Sequence, residues 1–581
     1  MKRRKKTLTA RNPLPGFVTT KTGTQFALFT ILILTRTRKT RKTKTIPKTD
    51  IKLEPNEVFK NMISKKLLSL TLAALILVSA ALVGCNKEDP NDDFDPDTPG
   101  DDFSGSISKD DETKEEKPEE PVDEGDENQT YYISNADELI AMKRKGTYIL
   151  TADIDMTGKE WTPVGTFEAP FVGKLDGAGF TIKGLTVTKD TEGAGECISY
   201  TYTYAGLIGV ADGAEITNVK LENVNINISS ATKTRVVYAG AIAAMTNGCR
   251  INGCEIISGS IKSSSVFFKA YSAGITAFSF DSDIYLCSVN ADISVTDSKL
   301  TSAAGGIAAQ VGNNTVIATC STKGSVSTVS TDGNAYSGGL VGLLNNSDIS
   351  HSAVKADVRA ETKCSAAETG KAGASYAGGI TAYANNSLDT QKSMTAVSSQ
   401  GTVTAVSADY VSYAGGISAF TSYIKLTEAY SAAAVSSESN SRKVYAGGIT
   451  GYVSTQTEYR GIFFAGSITA RSSKDSVQTG VIIAYDATLT AENKAIFEKI
   501  GHITATELSV TVNGKKYTVG STLPEKEYFV RHGEEYSASE LRSRNILTGD
   551  LGWNTSNWSF SMSDYPTVNF EGYFECEIPE K

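Results

Sequence analysis

Small, aromatic and aliphatic residues follow one five-residue pattern nine times between residues 204 and 485. Its first position, which we call the anchor, is Tyr in seven copies, the next three positions are mostly small, and the fifth is Ile or Leu. The anchors, spaced 34, 33, 32, 33, 40, 37, 32 and 33 residues apart, are Tyr204, Tyr238, Tyr271, Ala303, Tyr336, Tyr376, Tyr413, Tyr445 and Gln478. A self-similar period of this size predicts a solenoid, in which each repeat buries its apolar face against its neighbours.

Within one repeat the residues alternate as in a β-strand. With a period of two, the anchor and the aliphatic fifth position share a face, so the Tyr and Ile columns are expected to point inward together. Turn residues follow each of the first six anchors: Asp212-Gly213, Asn247-Gly248, Asp281-Ser282, Asn313-Asn314, Asn345-Asn346 and Asn385-Asn386. A second β-rich run and a Ser/Thr/Val stretch, such as Gly324–Val329, lead to the next anchor. This order predicts an all-β chain, a parallel β-solenoid of about nine to eleven coils.

The repeated phrase resembles a known bacterial motif. Gly206-Leu-Ile-Gly209, Gly339-Leu-Val-Gly342 and Ala446-Gly-Gly-Ile-Thr-Gly451 are similar to the GLUG repeat of bacterial surface proteins, and Trp161–Gly165 resembles a usual opening of such domains. The resemblance implies a right-handed parallel β-helix displayed outside the cell, and it implies no catalytic activity. The fourth anchor, Ala303, departs from the motif because it lacks the Tyr.

Residues 62–84 have the layout of a bacterial lipoprotein signal peptide. Lys65 and Lys66 precede an apolar run, residues 67–83, and Cys85 follows a Gly. A positive start, an apolar middle and small residues before the cleavage site are typical of secretory signals. The segment 82–85, Leu-Val-Gly-Cys, resembles the lipobox, which implies that Cys85 becomes a lipid-modified mature N-terminus. A transmembrane helix is the alternative, although the run lies at the lower length limit for a span.

The segments on either side of the signal differ sharply in charge. Residues 1–61 hold 16 Lys or Arg against 3 Asp or Glu, whereas the whole chain has a net charge of −9. We expect residues 1–61 to precede the true start at Met62; a genuine basic extension is the alternative. Residues 85–130 are acidic and nearly free of aliphatic side chains, which predicts a disordered tether. The Lys and acidic residues after Cys85 resemble a surface-export signal. Because a signal peptide follows the basic residues 1–61, nucleic-acid binding is not expected.

Caps are predicted at both ends of the solenoid, residues 201–490. An open solenoid end exposes core and unpaired backbone, so it needs a cover. Residues 131–200 read as an N-terminal cap and the first coils, with a helix behind Ser134 or Asn135. Residues 491–581 read as a C-terminal cap, with Trp553 and Trp558 as its apolar cover.

Cysteines and histidines do not have metal-site spacing. Cys254, Cys287 and Cys320 lie 33 residues apart, which predicts a column of buried, reduced thiols on successive coils; a disulfide is the alternative. The remaining cysteines and the three histidines, which form no CxxC or Cys/His pattern, are Cys197, Cys249, Cys364, Cys576, His351, His502 and His532. We therefore predict no metal site and no cofactor.

Candidate chemistry favours binding over catalysis. A polysaccharide lyase or glycoside hydrolase on this fold would need acidic residues at one offset in adjacent coils. Asp281, Asp283 and Asp348 have no such acidic neighbours. We predict a non-enzymatic, monomeric lipoprotein, anchored to the outer membrane through Cys85 and exposed at the cell surface, that binds a glycan or a host or matrix surface. The β-helix enzyme and a passive spacer are the alternatives, and the Tyr column could serve as a sugar-stacking ladder.

Overall fold

A computed structural model describes residues 124–191, 201–231, 235–364, 373–387, 392–490, 495–504, 506–517, 527–530 and 533–570. The predictions for residues 1–123, including the signal segment, Cys85 and most of the tether, lie outside the described residues, as do Cys197, His532 and Cys576. The last residue of the predicted tether, Thr130, instead begins the strand Thr130–Ile133. Within these residues the predicted all-β parallel solenoid is confirmed, because strands of successive coils pair in parallel in three long sheets.

Sheet 1 contains the anchors. Its strands pair in parallel from one coil to the next, with Tyr376 beside Tyr413 and Tyr413 beside Tyr445. Its ten described strands are Thr201–Ala205, Arg235–Gly240, Ala270–Ala273, Ser302–Gly305, Ala335–Gly338, Ser375–Gly378, Ser412–Gly415, Val444–Gly447, Val477–Gly480 and Glu527–Val530. The nine anchors predicted from the sequence therefore stack in register.

Sheet 2 follows sheet 1 after a two-residue bend. Its nine described strands, one for each coil, are Ile208–Asp212, Ala243–Asn247, Thr276–Phe280, Ala308–Gly312, Val341–Asn345, Thr381–Asn385, Ser418–Ser422, Thr450–Val453 and Ile483–Asp486. Most of these strands end where the sequence predicts turns. The backbone there is left-handed at Gly213, Gly248, Asp281, Asn314 and Asn346, which confirms the predicted turn chemistry.

Sheet 3 closes each coil and extends over the N-terminal cap. Among the described residues only the pairing of Ser509–Val512 with Lys515–Tyr517 is antiparallel within it. Its 26 strands are Thr130–Ile133, Thr147–Leu150, Ile154–Asp155, Lys174–Asp176, Thr181–Lys183, Thr186–Thr191, Glu215–Thr217, Lys220–Glu222, Val224–Ser230, Arg250–Asn252, Glu255–Ile256, Gly259–Ser265, Asp283–Tyr285, Ser288–Ser298, Val316–Ala318, Ser321–Ser330, Asp348–Thr362, Ser393–Ser407, Lys425–Ser431, Ala434–Ser439, Glu458–Phe464, Ser467–Ser472, Ile496–Ile503, Ser509–Val512, Lys515–Tyr517 and Glu534–Tyr536.

Aliphatic columns fill the interior of the solenoid. One column of sheet 3 consists of Ile226, Ile261, Ile293, Val326, Val358, Val403, Val435, Ile468 and Val510, all buried and in register. Fully burying such a side chain stabilises the fold by about 1.5–3 kcal/mol. Each coil therefore gains most of its stability from the coils above and below it.

A corner inside sheet 3 bends every coil at one left-handed residue. These residues stand in register and are Asn218, Gly253, Leu286, Thr319, His351, Ala396, Glu428, Gly461 and Lys499. A left-handed backbone costs a residue with a side chain roughly 1–2 kcal/mol. Because only two of the nine are Gly, stacking against neighbouring coils must hold the others in place. We call this column the left-handed corner.

The N-terminal cap contains the predicted helix, Ala136–Ile140. Asn135 is its N-cap, since the Asn135 side chain accepts a hydrogen bond from the Glu138 backbone N–H at 3.0 Å. The Glu138 carboxylate in turn accepts one from the Ser134 N–H at 2.7 Å, which completes a reciprocal cap. Trp161 is buried and donates its indole N–H to the Gly206 carbonyl at 3.1 Å, which ties this region to the first anchor repeat.

The C-terminal residues 537–570 lie along the side of the solenoid, and we call them the strap. They contain the helix Arg544–Gly549, the 3-10 turn Glu540–Arg542 and two short strands, Trp558–Ser559 and Thr567–Val568; a further 3-10 turn, Ala487–Thr490, precedes them. The indole N–H of Trp553 donates to the Gly461 carbonyl at 2.7 Å. The Asn557 amide donates to the Glu428 carboxylate at 2.9 Å, and its oxygen lies 3.1 Å from the His351 ring.

The position of the two strap tryptophans differs from the sequence prediction. Trp553 and Trp558 are 3% and 2% exposed, as expected of an apolar cover. However, they stack on Tyr430 and Phe463, which point outward from sheet 3, instead of covering the open end. The strap crosses the left-handed corner from His351 to Gly461, so it spans four coils laterally.

Candidate functional site

Aromatic side chains form a second buried cluster, separate from the aliphatic core. Sheet 1 contributes the anchor tyrosines and sheet 2 contributes a parallel column of rings. We call the cluster the aromatic seam; its main members are Tyr238, Tyr271, Tyr336, Tyr376, Tyr413 and Tyr445 from sheet 1, and Phe278, Tyr383, Phe420, Tyr452 and Tyr485 from sheet 2. The seam lies where the two sheets meet.

The seam faces away from the interior of the solenoid. Ser337, next to anchor Tyr336, donates a hydrogen bond to the Arg359 carbonyl of sheet 3 at 2.7 Å, so Ser337 points inward. Because successive side chains of a strand alternate, Tyr336 points outward. The prediction that the Tyr and Ile columns share a face is therefore wrong. The bend after Gly338 breaks the period of two, and Leu340 joins the aliphatic core.

Stacking makes the seam continuous over its C-terminal half. Rings of consecutive anchors lie 4.8 Å apart for Tyr376 and Tyr413 and 4.9 Å apart for Tyr413 and Tyr445, with planes nearly parallel. The rings of sheet 2 meet the anchors edge to face; Tyr452, for example, lies 5.8 Å from Tyr413 at 89°. Both geometries are favourable for aromatic pairs. The fourth coil interrupts both columns, since Ala303 and Gln310 occupy the two ring positions.

Exposure of the seam changes along its length. Tyr413 is 2% exposed, so most of the anchor column is closed to a ligand and the sugar-ladder alternative fails over that part. At the N-terminal end, Tyr202 and Tyr204 are only half-buried and Phe167 is 48% exposed. Phe167, Tyr202 and Tyr204 therefore form an open aromatic surface beside the first coil of the described solenoid.

Burial of the seam makes the protein sensitive to high pH. Desolvation raises the pKa of Tyr376 and Tyr413 well above the ordinary value. Outside the seam, burial raises the pKa of Tyr430 under the strap to about 12 and that of the Cys249 thiol to about 11. The unfolded chain loses these protons at lower pH than the folded chain does, so the stability they contribute is present below the unfolded pKa and is lost as pH rises.

We expect unfolding and tyrosine ionisation to coincide in an alkaline titration. Between about pH 10 and 12, tyrosinate absorbance should show one cooperative step that follows the loss of β-sheet circular dichroism. Tyr376→Phe should reduce the amplitude of that step without creating a new one. Gradual ionisation with unchanged circular dichroism would contradict the burial of the seam.

A polar face covers the outer side of sheet 3. Its two columns, in which no side chain is buried, are Asn225, Ser260, Asp292, Ser325, Asp357, Thr402, Ala434 and Ser467, and beside them Asn227, Lys262, Ser294, Ser327, Arg359, Thr404, Ser436 and Thr469. Hydroxyls reach across coils, as Ser325 donates to Asp292 at 2.7 Å and Thr402 donates to Asp357 at 2.8 Å. The face therefore presents a repeating array of hydrogen-bonding groups.

The candidate acids remain separate from one another. Asp283 stands in register between Arg250 and Val316. Asp348 accepts hydrogen bonds from the Lys392 ammonium at 2.9 Å and the Ser393 backbone N–H at 2.8 Å. Among the described residues no group of three or more His, Cys, Asp and Glu side chains has metal-site geometry. The structure thus brings together none of the acids that the sequence singled out.

The cysteine column lies directly after the left-handed corner. Cys254, Cys287 and Cys320 are free and buried, as predicted, and each follows a left-handed residue. The Cys287 thiol donates to the Tyr285 carbonyl at 3.1 Å. Burial raises the pKa of Cys287 well above its usual range, and a hydrogen bond with Cys287 together with burial does the same for Cys254. All three thiols of the column act as small buried core residues.

We expect the column to resist alkylation in the native protein. Iodoacetamide should leave Cys254, Cys287 and Cys320 unmodified, because all three are buried. Denaturant alone, without reductant, should expose all three to modification. Peptide mapping provides the readout, and a disulfide between any two of them would contradict the assignment.

Comparisons with known proteins identify no family for this chain. No family model and no curated protein matches the chain. A solved structure described as a putative immunoglobulin A1 protease from Bacteroides ovatus is similar over 77% of this chain and 94% of its own, at 19% identity and a TM-score of 0.32. No helix in the described ranges is both long and apolar enough to cross a membrane. The residues themselves therefore establish a parallel β-solenoid scaffold with an outer polar face and an aromatic seam.

Proposed function

We propose that this chain is a surface-displayed lipoprotein whose solenoid binds a glycan or a host or matrix surface without turning it over. The polar face is the observation that supports the proposal most directly. It repeats similar hydroxyl, amide and charged groups in register over eight coils, about 4.8 Å apart. Such an array suits a polymer, whose repeating units can each form a weak contact.

Linked weak contacts explain how a surface without a deep site can hold a ligand. Joining contacts along one polymer raises the apparent affinity by roughly 10²–10⁴ over a single contact. We therefore propose weak binding of isolated units and tight binding of the polymer. The separation of Asp283 from Asp348 and from other acids is consistent with binding rather than hydrolysis.

Retention and cleavage should be measured together on the same protein. The full chain is incubated with neutral and acidic polysaccharides, with and without calcium, and retention, reducing ends and unsaturated products are followed. Binding without product supports the proposal. Cleavage that one Asp or Glu substitution abolishes would place the protein among polysaccharide-degrading enzymes, and absence of retention on every polymer and cell surface would leave only a spacer.

Anchoring through Cys85 is a separate part of the proposal. Two or more acyl chains can hold a water-soluble body at a bilayer, since each buried methylene contributes about 0.8 kcal/mol. Intact-mass analysis of membrane-extracted protein should give a mature N-terminus at a lipid-modified Cys85. A product that retains residue 62, or an unchanged distribution of Cys85→Ala between membrane and medium, would contradict the anchor.

A further inference from the structure

The open end of the aromatic seam has an exposed ladder of three rings. Phe167 lies 5.6 Å from Tyr202, and Tyr202 lies 6.1 Å from Tyr204, measured between ring centroids. Tyr202 also lies 6.1 Å from Tyr238, the first fully buried ring of the seam. The buried column therefore packs against Tyr202 from one side and Phe167 packs against it from the other, and ring surface stays accessible on Phe167 and on the half-buried tyrosines.

Two polar groups accompany the ladder. The Tyr204 hydroxyl has no hydrogen-bond partner among the described residues, although the oxygen itself is covered. Glu168 directly follows Phe167 in the chain and is exposed like it. Burial, and to a smaller extent the charge of Glu168, raises the pKa of Tyr204. The Glu168 carboxylate, which accepts hydrogen bonds, thus lies beside an apolar ring surface, whereas the covered Tyr204 hydroxyl is closed to a ligand.

We propose that Phe167, Tyr202, Tyr204 and Glu168 form a subsite for a neutral sugar ring of a glycan. The apolar face of a sugar carries C–H groups that pack on the electron-rich face of an aromatic ring, while its hydroxyls donate to a carboxylate. The negative charge of Glu168 disfavours an acidic sugar at this position. This subsite rests on the proposed glycan-binding function and names the part of the surface that selects the ligand.

The ladder and the polar face then have different roles. The polar face can hold many kinds of polymer, because its contacts are weak and repeated. The ladder is a single place where a ring surface and a carboxylate meet, so it can discriminate between neutral and acidic sugars. Selectivity should therefore depend on Phe167, Glu168, Tyr202 and Tyr204 far more than on the number of coils.

Variants of the full chain test the subsite against neutral and acidic probes. Cellohexaose, maltoheptaose and mannohexaose are the neutral probes and oligogalacturonate is the acidic one, with affinity measured by calorimetry. Phe167→Ala should weaken binding of the preferred neutral probe roughly threefold to tenfold, in line with the loss of one aromatic contact. Glu168→Gln should weaken binding of the preferred neutral probe. It should also reduce the ratio between the affinity for that probe and the affinity for oligogalacturonate. Tyr132→Ala, which removes a 65% exposed ring from sheet 3, is the matched control and should bind as the native protein does.

The outcomes separate this subsite from the broader function. Neutral binding that Phe167→Ala and Tyr132→Ala leave equally intact would overturn the subsite and leave glycan binding standing. Retention on acidic polymers or on protein-coated surfaces alone, with no neutral probe bound, would also overturn it. Failure of the native chain to bind any probe, polymer or cell surface would overturn both. Circular dichroism confirms that each variant retains the native sheet content.

Discussion

Trp553→Ala is expected to lower the free energy of unfolding of the C-terminal coils by about 3–5 kcal/mol, the usual cost of removing a buried Trp. Its indole stacks on Phe463 at 5.5 Å and on Trp558 at 4.2 Å, and its N–H donates to the Gly461 carbonyl at 2.7 Å. Truncation removes all three contacts and exposes Tyr430 and Phe463 to water. The strap should loosen over these coils, although Tyr565 still stacks on Tyr430 and Phe463.

Hydrogen exchange can locate this effect as well as measure it. A solenoid is stabilised by nearest-neighbour contacts, so protection should fall in the coils under the strap and remain unchanged near Trp161. Trp553→Phe is the matched control: it keeps a stacked ring but loses one hydrogen bond, which is worth about 1 kcal/mol. A loss below about 1 kcal/mol for Trp553→Ala would show that the strap contributes little to stability.

Gly378→Ala is the second substitution expected to have a large effect, about 3 kcal/mol of destabilisation. A Cβ at this position would lie only 1.7 Å from the carbonyl oxygen of Thr381, within the bend that joins sheets 1 and 2. Gly447 meets the Thr450 carbonyl in the same way, at 1.8 Å. The Thr381 carbonyl belongs to the backbone of the same coil, so a methyl group at position 378 fits only if the bend opens. Opening the bend would shift the strands of sheets 1 and 2 that carry the aromatic seam.

The third coil provides the control for this prediction. Ala273 stands in register with Gly240, so there the native bend already accommodates a methyl group. Ala273→Gly should therefore cost no more than about 1 kcal/mol, mainly through added flexibility of the unfolded chain. Thermal and denaturant unfolding of both variants, followed by circular dichroism, provides the comparison. If Gly378→Ala and Ala273→Gly lowered the free energy of unfolding equally, the Thr381 carbonyl would not be what excludes a side chain at position 378.

Local patterns predicted the parts of the fold that repeat. The anchor spacing fixed the register of sheet 1, and Asp and Asn after the anchors predicted turns that are left-handed at Asp281, Asn314 and Asn346. These predictions succeeded because the same local preference is present in several coils. The left-handed corner carried no such signal, because Leu286 and Thr319 do not favour a left-handed backbone. Neighbouring coils impose that conformation on them.

The candidate site was harder to predict because its geometry is not local. The outward direction of the anchors depends on a bend of two residues after Gly338, which reverses the face that a simple alternation assigns. The ladder joins a loop containing Phe167 to a strand 35 residues later, at Tyr202. Only the fold shows that these rings meet.

The strap gives the solenoid an unusual response to mechanical load. Coils that contact only their neighbours would peel away one at a time under tension, each at a small force. The strap instead connects His351 to Gly461 across four coils through side-chain contacts on a single lateral line. Pulling on the C-terminal coils would place the stacked indoles and the hydrogen bond to Glu428 under shear at the same time. These contacts would have to break before any one of the coils could separate. The same contacts that stabilise the fold at rest would therefore set the force at which this end of the protein unravels.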